Sequence, residues 1–133
     1  REYRPEAPVW NVMALSTDFP DDKSTIFMDF HGGVYRLGLH DGQVKWHTPP
    51  ANSTESFSDG GVMVGPDGSP YTCSNPGTNT GQEGTPGALR KFNYADGTLL
   101  WDVELPYPCN SWPVVSPQND VVAVVPGSFN ADA

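Results

Sequence analysis

Apolar residues in this chain recur in short alternating runs broken by turn formers, and no window offers a clean helical stripe. The pattern is sharpest from Gly33 to Trp46, GVYRLGLHDGQVKW. Tyr35, Leu37 and Leu39 share one face, Asp41-Gly42 follows, and a second short run closes on Trp46. A looser copy, GALRKFNYADGTLLW, runs from Gly87 to Trp101. Aligned on Asp-Gly, Arg36 matches Lys91, Leu37 matches Phe92, Leu39 matches Tyr94 and Val44 matches Leu99. Each copy predicts a β-hairpin, with Asp41 and Asp96 at the first central position of a tight turn and Gly42 and Gly97 supplying the positive φ it needs. Trp46 and Trp101, each a large apolar body with one donor, suit wedging between stacked sheets better than stacking on a planar ligand.

The rest of the chain repeats around these hairpins. Strands are predicted over Val9–Leu15, Thr25–Phe30, Gly61–Gly65 and Pro70–Ser74, with a polar turn over 16–24 and another at Pro66–Ser69. Pro113–Val124 aligns without gaps on Val62–Cys73, placing Pro117 over Pro66. The spacing of the two tryptophans lies in or just above the propeller-type range. The expectation is an all-β single domain over 1–133, a partial β-propeller of about two and a half four-stranded antiparallel blades in an incomplete ring. Its blades fall at about 9–50 and 57–108, with a half blade at 110–130.

Composition agrees with an all-β chain. There are 14 Gly and 14 Pro in 133 residues, and hydrophobic residues make up 37%. The formal charge of −9 argues against nucleic acid or an anionic membrane as partner. No run reaches the roughly 18 apolar residues that would span a bilayer. The chain begins at Arg1, which suggests a processed chain or a piece of a longer one. Cys73 and Cys109 can form a disulfide or remain two packed thiols, and Asn52 opens an Asn-Ser-Thr glycosylation sequon. Together these tilt the expected setting toward an extracytoplasmic, secreted or lumenal, compartment.

The hairpin resembles the pyrroloquinoline-quinone-type propeller repeat of quinoprotein alcohol dehydrogenases, whose pattern reads roughly Ala-x-Asp-x-x-Thr-Gly-x-x-x-Trp. Gly42 with Trp46, and Gly97 with Trp101, fit it. Arg36 and Lys91 stand where the family has Ala, Gly38 and Asn93 where it has Asp, and Asp41 and Asp96 where it has Thr. The resemblance implies blade architecture and tryptophan docking. No position matches the family's cofactor-binding motifs, so no cofactor is expected here.

Catalytic patterns are missing as well. There is no Gly-x-Ser-x-Gly elbow and no phosphate-binding Gly-x-x-x-x-Gly-Lys. His31, His40 and His47 lack metal-ligand spacing, and Asp18, Asp21 and Asp22 lack the framework of a calcium loop. Arg36 and Lys91 are expected to pair with acids on a neighbouring blade. Two and a half blades cannot close a ring, so protein surfaces must cover the exposed blade faces: the rest of a longer polypeptide, other copies, or other subunits. The Asn75–Pro86 insertion, with Asn75, Thr78, Asn79, Gln82 and Glu83, is the expected interaction loop. The function expected is therefore a non-catalytic interaction or scaffold module. A fragment of a quinone-dependent dehydrogenase whose cofactor sits on other blades, and an extracellular ligand-binding propeller, are the alternatives.

Overall fold

The structure, a computed structural model, describes residues 4–5, 9, 14–16, 23–50, 60–75 and 86–125. Every regular element among them is a β-strand. The first sheet is a meander of β1 (Ala14–Ser16), β2 (Ser24–Met28), β3 (Val34–Gly38) and β4 (Val44–Thr48). The second repeats it with β5 (Val62–Val64), β6 (Pro70–Ser74), β7 (Gly87–Phe92) and β8 (Leu99–Leu105). A third, two-stranded sheet pairs β9 (Val114–Val115) with β10 (Val122–Ala123). All pairings are antiparallel between sequence neighbours. The described residues are therefore all-β, in three separate antiparallel sheets of four, four and two strands.

The turns explain why the strands stop where they do. After β3, the Gly38 amide donates to the Gln43 carbonyl and the Gly42 amide to the Gly38 carbonyl, with Gly42 at φ 62°. The second hairpin is built the same way, from Asn93 to Thr98, with Gly97 at φ 75°. This corrects the tight two-residue turn expected from Asp-Gly. The connection is four residues long, and Asp41 and Asp96 keep negative φ, because only the glycine needs the left-handed conformation. The carboxylates brace the loop instead. Asp41 accepts from the Gln43 amide at 2.9 Å, and Asp96 from the Thr98 amide at 3.0 Å and its hydroxyl at 2.8 Å. Both hairpins also shift register at the same place, between Arg36 and Leu37 and between Lys91 and Phe92, leaving Lys45 and Leu100 as the unpaired bulge residues. The β5–β6 and β9–β10 turns correspond too, with Asn119 at φ 60° where Gly68 is at φ 80°. Asparagine tolerates that conformation better than other side chains.

Inner strands are buried on both faces, while the outer strands β4, β5 and β8 are not. All five residues of β3 and of β6 are buried, whereas β8 is mostly exposed. One face of the first sheet presents Ile26, Met28, Val34 and Trp46, which pack with Val62 and Phe92 of the second sheet, flanked by Val64 and Tyr94. Its other face carries Phe27, Tyr35 and Leu37 against Val9. There Phe27, Tyr35 and His47 form a three-ring stack, with centroids 5.1 and 4.1 Å apart.

Candidate interaction site

The seam between the first two sheets is built from the repeated hairpin. Three side chains of the first sheet point at the β7–β8 turn of the second. The Trp46 indole N–H donates to the Tyr94 carbonyl at 2.8 Å, and Arg36 donates to the same oxygen at 3.0 Å. Thr48 donates its hydroxyl to the Gly97 carbonyl at 2.6 Å. The Arg36 guanidinium lies over the Tyr94 ring, 3.7 Å from its centroid, and its Nε donates to Ser24. Gly97 completes the fit, because a Cβ there would lie 2.6 Å from Trp46 and 2.7 Å from the Thr48 hydroxyl. Donors on one sheet thus meet turn carbonyls on the next, across an apolar patch with only 7% of Trp46 exposed.

The corresponding face of the second sheet presents Lys91, Trp101 and Val103, without a turn on top. Trp101 is half-buried, tilted against Tyr71 with ring centroids 5.9 Å apart, and its N–H has no acceptor among the described residues. Val103 on the same face is 47% exposed, whereas Leu99, paired with Phe92, lies on the opposite face of the sheet. Lys91 does find an acid, but on its own sheet: Nζ pairs with Asp67 of the β5–β6 turn at 2.9 Å. Tyr71 is the largest influence holding the Lys91 ammonium above its ordinary range, and Asp67 adds to it. Burial works to raise the Asp67 carboxyl, but hydrogen bonds from Lys91 and Ser69 outweigh it and leave the group below the usual carboxylate range. The Thr98 amide and then its hydroxyl lower Asp96 in the same way.

A strap from Tyr107 to Trp112 fastens the start of the third unit to the second sheet. Cys73 at the end of β6 is disulfide-bonded to Cys109, with Cα atoms 5.5 Å apart. Asn75 accepts from the Cys109 amide at 2.6 Å and donates to Asn110 at 2.7 Å. The strap passes so close to β7 that a Cβ on Gly87 would meet the Tyr107 carbonyl. Further along, the Tyr71 hydroxyl reaches Asn119 in the β9–β10 turn at 3.4 Å, and β9 lies against β5.

The sequence-predicted residues thus divide. Trp46 and Gly97 meet in the seam. Gly42 does not, for a Cβ there would touch nothing within 4 Å. Asn75, expected in the exposed interaction loop, is fully buried and serves the strap, because its side-chain amide satisfies backbone that would otherwise be stranded beside the disulfide. Asn52, Thr78, Asn79, Gln82 and Glu83 lie outside the described residues. Asp29 was missed: it is buried, accepts from the His31 and Gly33 amides and from the Tyr35 hydroxyl at 2.7 Å, and so ties the β2–β3 turn to the aromatic stack. Asp29-Phe30-His31-Gly32-Gly33 is turn chemistry that could have revealed it.

Among the described residues no group of three His, Cys, Asp or Glu side chains is placed to hold a metal ion, and no helix is long and apolar enough to cross a membrane. Compared with known proteins, the chain matches no family model and no curated protein.

Proposed function

We propose that the chain is a non-catalytic protein-interaction module of quinoprotein-like propeller type, in which four-stranded units dock side by side and the open flank of the second takes a protein. One observation carries this reading: the Trp46 N–H and Arg36 converge on the Tyr94 carbonyl of the next hairpin, a repeat-to-repeat lock of the kind the family resemblance implies. The matching turns of the units support it, as does the exposure of Val103 beside the half-buried Trp101 on β8. The Cys73–Cys109 bond supports an oxidising, extracytoplasmic setting.

Two measurements test the reading. In NMR spectra, cross-relaxation between the Trp46 ring and Gly97 is expected, and its absence would remove the stacked units. Dye reduction should be nil when the chain is mixed with pyrroloquinoline quinone, Ca²⁺ and an alcohol. Quinone-dependent turnover would make it an enzyme instead.

A further inference from the structure

Three described turns carry an Asp-Gly pair: Asp41-Gly42, Asp67-Gly68 and Asp96-Gly97. A fourth, Asp59-Gly60, has its aspartate outside the described residues. All three glycines have positive φ, and each donates its amide to a carbonyl at 2.9 Å. An aspartate followed by glycine is also the dipeptide most open to one intramolecular reaction, because no side chain on the glycine shields its amide. The glycine nitrogen attacks the aspartate Cγ, and a carboxyl oxygen leaves as water with the amide proton. The cyclic imide that results then takes up water. Attack at Cγ restores aspartate; attack at the main-chain carbonyl carbon leaves isoaspartate. The nitrogen reaches Cγ only if the Asp-Gly peptide can swing, so the surroundings of each glycine decide the rate.

We propose that Asp41-Gly42 is a modification site, converting to isoaspartate in the native chain, while the fold withholds Asp67-Gly68 and Asp96-Gly97 from the same reaction. Asp41 is exposed, and a Cβ on Gly42 would meet nothing within 4 Å. Its carboxylate accepts only from the Gln43 amide among the described residues. Gly97 is held from two sides. A Cβ there would lie 2.6 Å from Trp46, and its carbonyl accepts from the Thr48 hydroxyl. The Thr98 amide and then its hydroxyl hold the Asp96 carboxyl below its ordinary range, in the ionised form that gives up an oxygen least readily. Gly68 is buried, and Asp67 is tied to the Ser69 amide and hydroxyl and to Lys91, each at 2.9 Å. The three pairs share the same following residue, so their local chemistry is alike and their packing is not. Isoaspartate inserts one extra carbon into the main chain of the turn between β3 and β4. That hairpin delivers Trp46, so ageing acts on the donor side of the seam.

The test is to age the full oxidised chain at neutral pH in water enriched in oxygen-18, beside a reduced sample unfolded in urea. Each passage through the imide writes one heavy oxygen into the aspartate or isoaspartate formed. Digestion in ordinary water and fragment-ion mapping then assign the label residue by residue. In the native sample the label should gather at Asp41, with its peptide splitting into two chromatographic forms of equal mass. Asp67 and Asp96 should lag by about tenfold or more. In urea the three rates should converge to within about threefold, because the packing that separates them is gone. Asp41→Glu, whose longer side chain forms no five-membered imide, should remove the second chromatographic form. Equal labelling of Asp41 and Asp96 in the native chain would overturn the proposal. So would the same ranking in urea, which would assign the difference to sequence, or label appearing at Asp41 in urea alone.

Discussion

The two hairpins have nearly the same backbone and opposite surroundings. In the second, the turn is pressed against Trp46, Arg36 and Thr48 of the first sheet, and Gly97 has no room for a side chain. In the first, Leu39 is exposed and Gly42 faces open space. The tryptophans reverse the order: Trp46 of the first hairpin is buried and bonded, while Trp101 of the second is half-buried. The local sequence sets the turn, and the neighbouring sheet decides what that turn is worth. The second hairpin is thus one half of a lock on the flank that meets the first sheet, and its turn residues acquire energetic weight there from the adjoining unit.

Substitutions can break or sharpen this contrast. The largest effect is expected from Trp46→Ala, at about 3–5 kcal/mol by urea unfolding, because it empties the seam and strands the Arg36 side of the lock. Trp101→Ala should cost about 1–2 kcal/mol, in proportion to the smaller area it buries. Equal costs would mean that the two seams do not differ. Reducing the Cys73–Cys109 bond, which joins residues 36 apart, should cost about 3–4 kcal/mol in the chain-entropy view. Its loss should speed hydrogen exchange in the strap and third sheet before the first seam is affected.

Gly97→Ala and Gly42→Ala make a finer comparison. Both carry the left-handed penalty of about 1–2 kcal/mol. Only Gly97→Ala adds overpacking against Trp46, bringing its total to about 2–4 kcal/mol, and similar thermal shifts for the two would contradict the seam. The smallest effect is expected at Asp67, whose carboxyl is depressed below its ordinary 3.8 in the folded chain. Its contribution is present above that value and is lost as pH falls through the lower, folded pKa. The side chain is 37% exposed, so screening keeps the Lys91 pair below about 1 kcal/mol. The stability gap between the native chain and Asp67→Asn should therefore be small at pH 7 and close on acidification below about pH 4.

Much of this architecture was legible in the sequence because strand and turn are local properties. Alternation around Leu37, the paired Asp-Gly and the gapless match of Pro113–Val124 on Val62–Cys73 led to two four-strand meanders and a two-strand remainder. The turn length was not legible, since Asp-Gly opens more than one loop class and the bulge at Lys45 or Leu100 depends on pairing across the sheet. Nor was the fate of Lys91. Its match to Arg36 suggested an acid across the seam, yet Asp67 lies within reach on its own sheet. Asn75 was misread for a related reason: a polar residue at the start of a Gly- and Thr-rich stretch looks exposed until a disulfide draws the strap over it.

That disulfide also changes what a severed backbone would mean. Residues 74 to 108 lie inside a covalent loop closed by Cys73 and Cys109. A single proteolytic nick there yields two polypeptides that still travel as one molecule, separating only when a thiol reductant is added. A chain clipped within that loop would keep its two sheets tethered to the strap, and intact mass under oxidising conditions would rise by only one water.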